Sequence, residues 1–337
     1  MSAADALTDR PVSRASRLRA SLLCAAFGFA LAYASMSRPG LPGDYLYWRT
    51  AARALLHGQN PYHVIPAIAP ERFLTPFFYP LPAAIATLPF VAFPYALGGA
   101  LFVALSAGLL AFGLSRDGLF RLAVFASAPF IISATSGTWP PIIAAAALLP
   151  ALGFLICVKP NVGLASLAYR PRWSMIIASA LFLLVSLAIL PSWPLDWWHQ
   201  LASVKSRTVP ILTPAGPLLL LALTRWRQRE ARLLLCLACI PQAPWFYDQI
   251  VLWLIPRDMA EAFGYTVVSQ LMLIAWGAFT MLAWRHAAWV LVAALYLPPL
   301  VMVLRHPNTG EVPRWLDGFA ARVTSARRSE PAPEPPA

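Results

Sequence analysis

The stretch DYLYWRTAARALLHGQNPY, residues 44–62, carries one carboxylate, a run of aromatics, and Arg49, Arg53 and His57 at i, i+4 and i+8. A carboxylate can accept the proton of a hydroxyl nucleophile, and fixed cations can receive a phosphate leaving group. Asp44 is the one acid of this stretch, and it is either a surface cap or part of a reaction site. Arg49, Arg53, Lys159, Lys205, Arg207, His199, Tyr62 and Asp248 are the candidate phosphate- or substrate-binding residues. Each has an ordinary reading as well. Asp44 could cap a helix, the basic side chains could reach lipid headgroups, His199 could be solvated, and Asp248 could cap the helix that follows it. A metal centre is not expected, because no carboxylate pair or histidine cluster stands at ligand spacing. Cys236-x-x-Cys239 lies inside an apolar run with no second pair, and reads as two helix cysteines.

The elements that must position these residues are membrane helices. Hydrophobic residues make up 59% of the 337-residue chain and charged residues 12%, against about 25% charge in soluble domains. Apolar runs recur along the chain, several near the roughly 20 residues that span hydrocarbon. The expected fold is all-α and polytopic, with ten to twelve spans. Residues 1–19 form a basic cytoplasmic tail, 20–304 the membrane domain, and 305–337 a Pro-rich, largely disordered tail. The LAYAS stretch has the look of a signal-peptidase site, but the many later apolar runs favour a retained first span.

The net charge of +12 comes from 24 arginines and only two lysines, spread over loops and tails. That distribution suits anionic lipid rather than nucleic acid. Strict alternation from a cytoplasmic N-terminus puts YRPRW and TRWRQREAR inside. It puts Asp44, Glu71, Asp117, Asp196 and Asp248 outside, together with both lysines. The tryptophan-rich WPLDWWHQ should lie flat at headgroup level. Residues 45–57 should form an amphipathic surface helix ended by Gly58, with Tyr45, Trp48, Ala52, Leu55 and Leu56 on its apolar side. Pro82, Pro89, Pro94, Pro141, Pro241 and Pro256 predict broken or half-depth helices.

The order DYxYWxxxAxxLLxGQNPY, then FxYPLPxxxxxLPF, then GFLICVKPN at 153–161 and YD at 247–248, resembles glycosyltransferase family 87 over roughly residues 44–256. The resemblance implies a GT-C bundle in a bacterial inner (plasma) membrane, with its active site on the periplasmic or extracellular side. It implies transfer of a hexose such as mannose from a polyprenyl-phosphate donor to a lipid or glycan acceptor, inverting at the anomeric carbon. Asp44 takes the role of general base, and no metal or other cofactor is required. Membrane lipids, the lipid-linked donor and the acceptor are then the partners, and nucleic acid is not. Gly137-Thr138 stands where the family usually has Gly-Gln, and Tyr79-Pro80-Leu81-Pro82 where it has Tyr-Pro-Pro. A flippase of lipid-linked sugars, or an inactive member serving in envelope assembly, is the alternative. The absence of an internal repeat weighs against a transporter.

Overall fold

The computed structural model describes residues 12–38, 43–68, 76–202, 208–242, 247–279, 288–312 and 317–318. Among them the chain is helical, with one isolated bridge between Thr208 and Gln242 and no strand. Helix α1 (Arg14–Met36) starts inside the expected basic tail, because the Ser13 hydroxyl accepts the Ser16 N–H at 3.1 Å and caps it. It runs unbroken through LAYAS. Then come α2 (Tyr45–Leu56), α3 (Pro61–Ile68), α4 (Leu81–Thr87) and α5 (Tyr95–Leu114). The middle of the chain holds α6 (Ala128–Ser136), α7 (Pro140–Leu148), α8 (Pro160–Tyr169), α9 (Trp173–Ile189) and α10 (Trp193–Ala202). The last third has α11 (Arg229–Cys239), α12 (Met259–Phe279), α13 (Ala288–Leu295) and α14 (Leu297–Leu304).

The prolines act as expected. Pro94 precedes α5, Pro82 and Pro141 sit in the first turns of α4 and α7, and Pro241 and Pro256 follow helical segments. A proline lacks an N–H and clashes with the preceding turn, so it is tolerated at a helix start and breaks an interior. The result is short α-helices joined by 3-10 segments at Leu119–Ala126, Pro150–Cys157, Gly216–Arg225 and Asp248–Leu254.

Among the described residues, α1 and α5 are each long and apolar enough to cross a membrane. Two bent pairs would raise that number to four: Leu119–Ala126 with α6, at 62°, and α9 with α10, at 99°. Helix α9 presents Trp173, Ile177, Leu181 and Leu184 outward at 55–70% exposure. An apolar face of that length is stable against hydrocarbon and costly in water. Helix α1 lies along α5, with Ser21 Oγ donating to Gly108 O at 2.7 Å.

Two ends of the bundle can be told apart by contacts. Near Asp44, the hydroxyl of Tyr45 donates to Phe90 O (3.4 Å) and Arg49 donates to Phe93 O (3.2 Å). At the far end of α5, Arg17 donates to Phe112 O at 2.7 Å. Both ends of the segment 79–93 therefore lie at the Asp44 end. Tyr79 touches Asp44, Phe90 touches Tyr45 and Phe93 touches Arg49, although hydropathy alone would offer this apolar run as a span. That change of parity moves Asp117. Expected on the face of Asp44, it lies past the far end of α5, within electrostatic reach of Arg170 and Arg229.

Candidate active site

Helix α2 forms where the aromatic and alanine spacing predicts it, and ends at Gly58, whose φ of +67° suits a residue without a Cβ. Its buried side is Tyr45, Trp48, Ala51, Ala52 and Ala54, while Leu56 is exposed. Asp44 occupies the N-cap position but makes no side-chain capping bond. The capping reading is thereby overturned. The carboxylate turns instead toward two tyrosines: the Tyr79 hydroxyl donates to Asp44 Oδ2 at 3.4 Å, and the Tyr247 hydroxyl stands close enough to favour the charged carboxylate.

What holds Asp44 in this pose is close backbone packing behind it. A Cβ on Gly43 would stand 2.6 Å from Ser136 O. Gly137, at φ +67°, closes α6, and a Cβ there would meet Tyr45 Cβ at 2.8 Å. The Gly137-Thr138 turn is thus the wall behind Asp44-Tyr45. Thr138 itself is buried with its hydroxyl bonded to Ser133, facing α6 rather than the carboxylate.

Lys159 and Asp248 come to the same place from 89 residues apart. Lys159 Nζ donates to Asp248 Oδ1 at 2.5 Å, and Asn161 Nδ2 donates to Asp248 Oδ2 at 3.1 Å. The ammonium lies 4.4 Å from the Tyr247 ring centroid and 5.6 Å from that of Tyr79. Both members of the ion pair are buried. Lys159 does not snorkel to headgroups, and Asp248, although first in its 3-10 helix, makes no capping bond there. The proline of KPN starts α8 directly beyond the lysine, and the asparagine after it points back at Asp248.

Asp44 keeps some exposed surface, yet enough atoms crowd its carboxyl that desolvation dominates. Burial pushes Asp44 above the usual carboxylate range, and Asp248 adds to that. Lys159 and the hydroxyls of Tyr247 and Tyr79 pull the other way. Burial also holds both tyrosines well above 10, with Asp44 reinforcing it, so both hydroxyls stay protonated donors. The cluster thus offers a carboxylate of raised basicity, two fixed O–H donors and one buried cation.

The other expected residues are placed differently. Arg53 and His57 are exposed on the side of α2 facing away from the core, and Arg49 donates through Nη2 to Phe93 O while its Nε–H has no partner. Tyr62 is buried and donates to Tyr79 O at 2.8 Å, so it supports the tyrosine rather than lining the carboxylate. His199 is exposed on α10. Lys205 and Arg207 lie outside the described residues, as does Glu71. The QNPY turn docks on α10: Asn60 Nδ2 donates to Asp196 Oδ2 at 2.8 Å and Gln200 Nε2 to Tyr62 O at 3.2 Å. Trp197 Nε1 donates to Phe78 O at 2.9 Å, so the tryptophan segment covers the loop carrying Tyr79. Of its three tryptophans, Trp193 is buried and Trp198 is exposed.

Tyr79, Tyr247 and Asn161 had no role assigned from the sequence, although each stands inside a motif that did: YPLP, YD and KPN. The signal was adjacency to a candidate residue. Neither a family model, nor a curated protein, nor a solved structure matches this chain.

Proposed function

We propose that this protein is a membrane glycosyltransferase that takes a hexose from a polyprenyl-phosphate donor, with Asp44 as general base. In this reading the chain makes ten to twelve traverses as a GT-C-like bundle, and the Asp44 end faces outward from a bacterial inner membrane. The single observation that carries it is the convergence of four separated motifs on one buried polar cluster. DY, YPLP, KPN and YD supply Asp44, Tyr79, Lys159 with Asn161, and Tyr247 with Asp248. Charge buried at this cost is placed for chemistry more readily than for stability.

In the proposed step, Asp44 removes the proton from an acceptor hydroxyl as that oxygen forms its bond to the anomeric carbon. The bond from that carbon to the donor phosphate oxygen breaks with its electron pair, and the configuration inverts. Raised basicity makes Asp44 a better proton acceptor at neutral pH. The field of Lys159, oriented by Asp248 and Asn161, favours charge growing on the departing phosphate. The test is direct: purified protein is incubated with a panel of polyprenyl-phosphate sugars and lipid acceptors. Transfer of one sugar supports the reading, and absence of transfer across the panel contradicts it.

A further inference from the structure

The end of the bundle opposite Asp44 gathers cations around one tyrosine. Tyr169, the fully buried last residue of α8, has the Arg229 guanidinium 4.9 Å and the Arg170 guanidinium 5.7 Å from its ring centroid. Its hydroxyl lies 3.5 Å from Leu254 O, and the same carbonyl accepts Arg121 Nη1 at 3.1 Å. Three guanidiniums from three separate elements therefore meet at one side chain.

Counter-charge there is short. Glu230 is divided between two partners, with Oε1 on Arg229 Nε (3.0 Å) and Oε2 on Arg257 Nη2 (3.2 Å). Asp117 is within electrostatic reach of Arg170 and Arg229, but none of the ion pairs among the described residues includes it. Arg232 spends its N–H groups on the carbonyls of Ala168, Trp226 and Arg227. Arg121 is only 5% exposed, and its Nε–H has no partner. An orphaned guanidinium N–H at that depth is costly unless something accepts it. Burial and the neighbouring Arg229 both push Arg170 below its ordinary range, as expected of a cation that faces another cation.

We propose that Arg121, Arg170 and Arg229 around Tyr169 form a binding site for a phosphate-bearing anion, of the kind a phospholipid headgroup or a soluble phosphate presents. A guanidinium offers paired N–H donors in one plane that match two phosphate oxygens, and arginine is less strongly hydrated than lysine. The chain's arginine-for-lysine bias fits this chemistry. The site is independent of the sugar-transfer reading, because it lies at the other end of the bundle.

The experiment uses the full chain in neutral detergent and reads retained ligand by native mass spectrometry, with thermal unfolding alongside. Two probes separate the sources: an anionic phosphatidylglycerol and inorganic phosphate, with zwitterionic, net-neutral phosphatidylcholine as the control. Arg170→Gln and Arg229→Gln are compared with Arg305→Gln, which removes an exposed charge from the same end. Arg170→Gln relieves repulsion and keeps the fold, so it decides the outcome even if Arg229→Gln unfolds by freeing Glu230. Expected is a loss of affinity of about tenfold or more with Arg170→Gln and little change with Arg305→Gln. Binding of phosphatidylglycerol alone assigns a lipid headgroup, and equal protection by inorganic phosphate assigns a free anion. Equal binding by Arg170→Gln and Arg305→Gln, or no binding of either probe, overturns the proposal.

Discussion

At the Asp44 end, Lys159 meets Asp248 at 2.5 Å and Asn161 takes the second carboxylate oxygen, so each buried charge has a partner. At the opposite end, Arg121, Arg170 and Arg229 crowd Tyr169 while Glu230 is shared and an Arg121 N–H stands alone. The Lys159–Asp248 pair is complete within the chain, whereas Asp44 is held by neutral hydroxyls and the Nε–H of Arg49 on the next turn of α2 also has no partner. The arginine cluster is complete only when an anion arrives. Pairing in low dielectric thus separates groups held for geometry from groups left open for a ligand.

Removing one cation at each end tests this contrast most strongly. Lys159→Ala strands Asp248 at 1% exposure, and a loss of about 3–5 kcal/mol of stability is expected. Denaturation in detergent measures it, and Lys159→Met with Asp248→Leu should recover most of the loss. Arg170→Gln should leave stability in lipid-free detergent unchanged or slightly raised. Equal losses in the two single variants would erase the distinction.

A smaller effect is expected at the tyrosines. The Tyr247 hydroxyl favours ionised Asp44, so Tyr247→Phe removes a donor to the charged form and lets the Asp44 pKa climb further. A general base works only when deprotonated. The acid limb of the rate profile should therefore lie above the ordinary value of 3.8 in the wild type, and higher again in Tyr247→Phe. Folding carries the same sign. A carboxyl whose folded pKa is raised makes the folded state less stable as pH rises from 3.8 through that pKa. An acid limb unmoved by Tyr247→Phe would detach the tyrosine from Asp44.

The smallest effect concerns the covering segment. Asp196 is partly desolvated, which raises its pKa, but hydrogen bonds from Asn60 and Ser192 outweigh that and hold it below the usual range. Its contribution is present above pH 3.8 and lost as pH falls through the lowered value. Asp196→Ala should cost on the order of 1 kcal/mol at neutral pH, read by thermal unfolding.

The local features were legible in the sequence because they depend on neighbours in sequence. Helix α2, its stop at Gly58 and the proline breaks all follow from spacing, proline and glycine. The pairings were not legible. Lys159 with Asp248 joins positions 89 apart, and no periodicity specifies which buried cation meets which carboxylate. Asp44 at a helix start satisfies the composition of a cap, and only the position of Tyr79 and Tyr247 turns it away from the backbone. The run 79–93 is apolar enough to suggest a span, but its return to Arg49 depends on a tertiary contact that hydropathy does not encode.

The most direct measurement is sugar transfer by Asp44→Asn. The amide keeps the size of the carboxylate and removes a buried charge, so the variant should fold and be at least as stable as the wild type at neutral pH. It cannot accept the acceptor's proton, and a rate loss on the order of a hundred- to ten-thousand-fold is expected. Asp44→Glu should also fail, because one methylene moves the carboxylate away from Tyr79 and Tyr247. Transfer by folded Asp44→Asn at the wild-type rate would contradict the account and leave Asp44 as a buried carboxylate without a catalytic role.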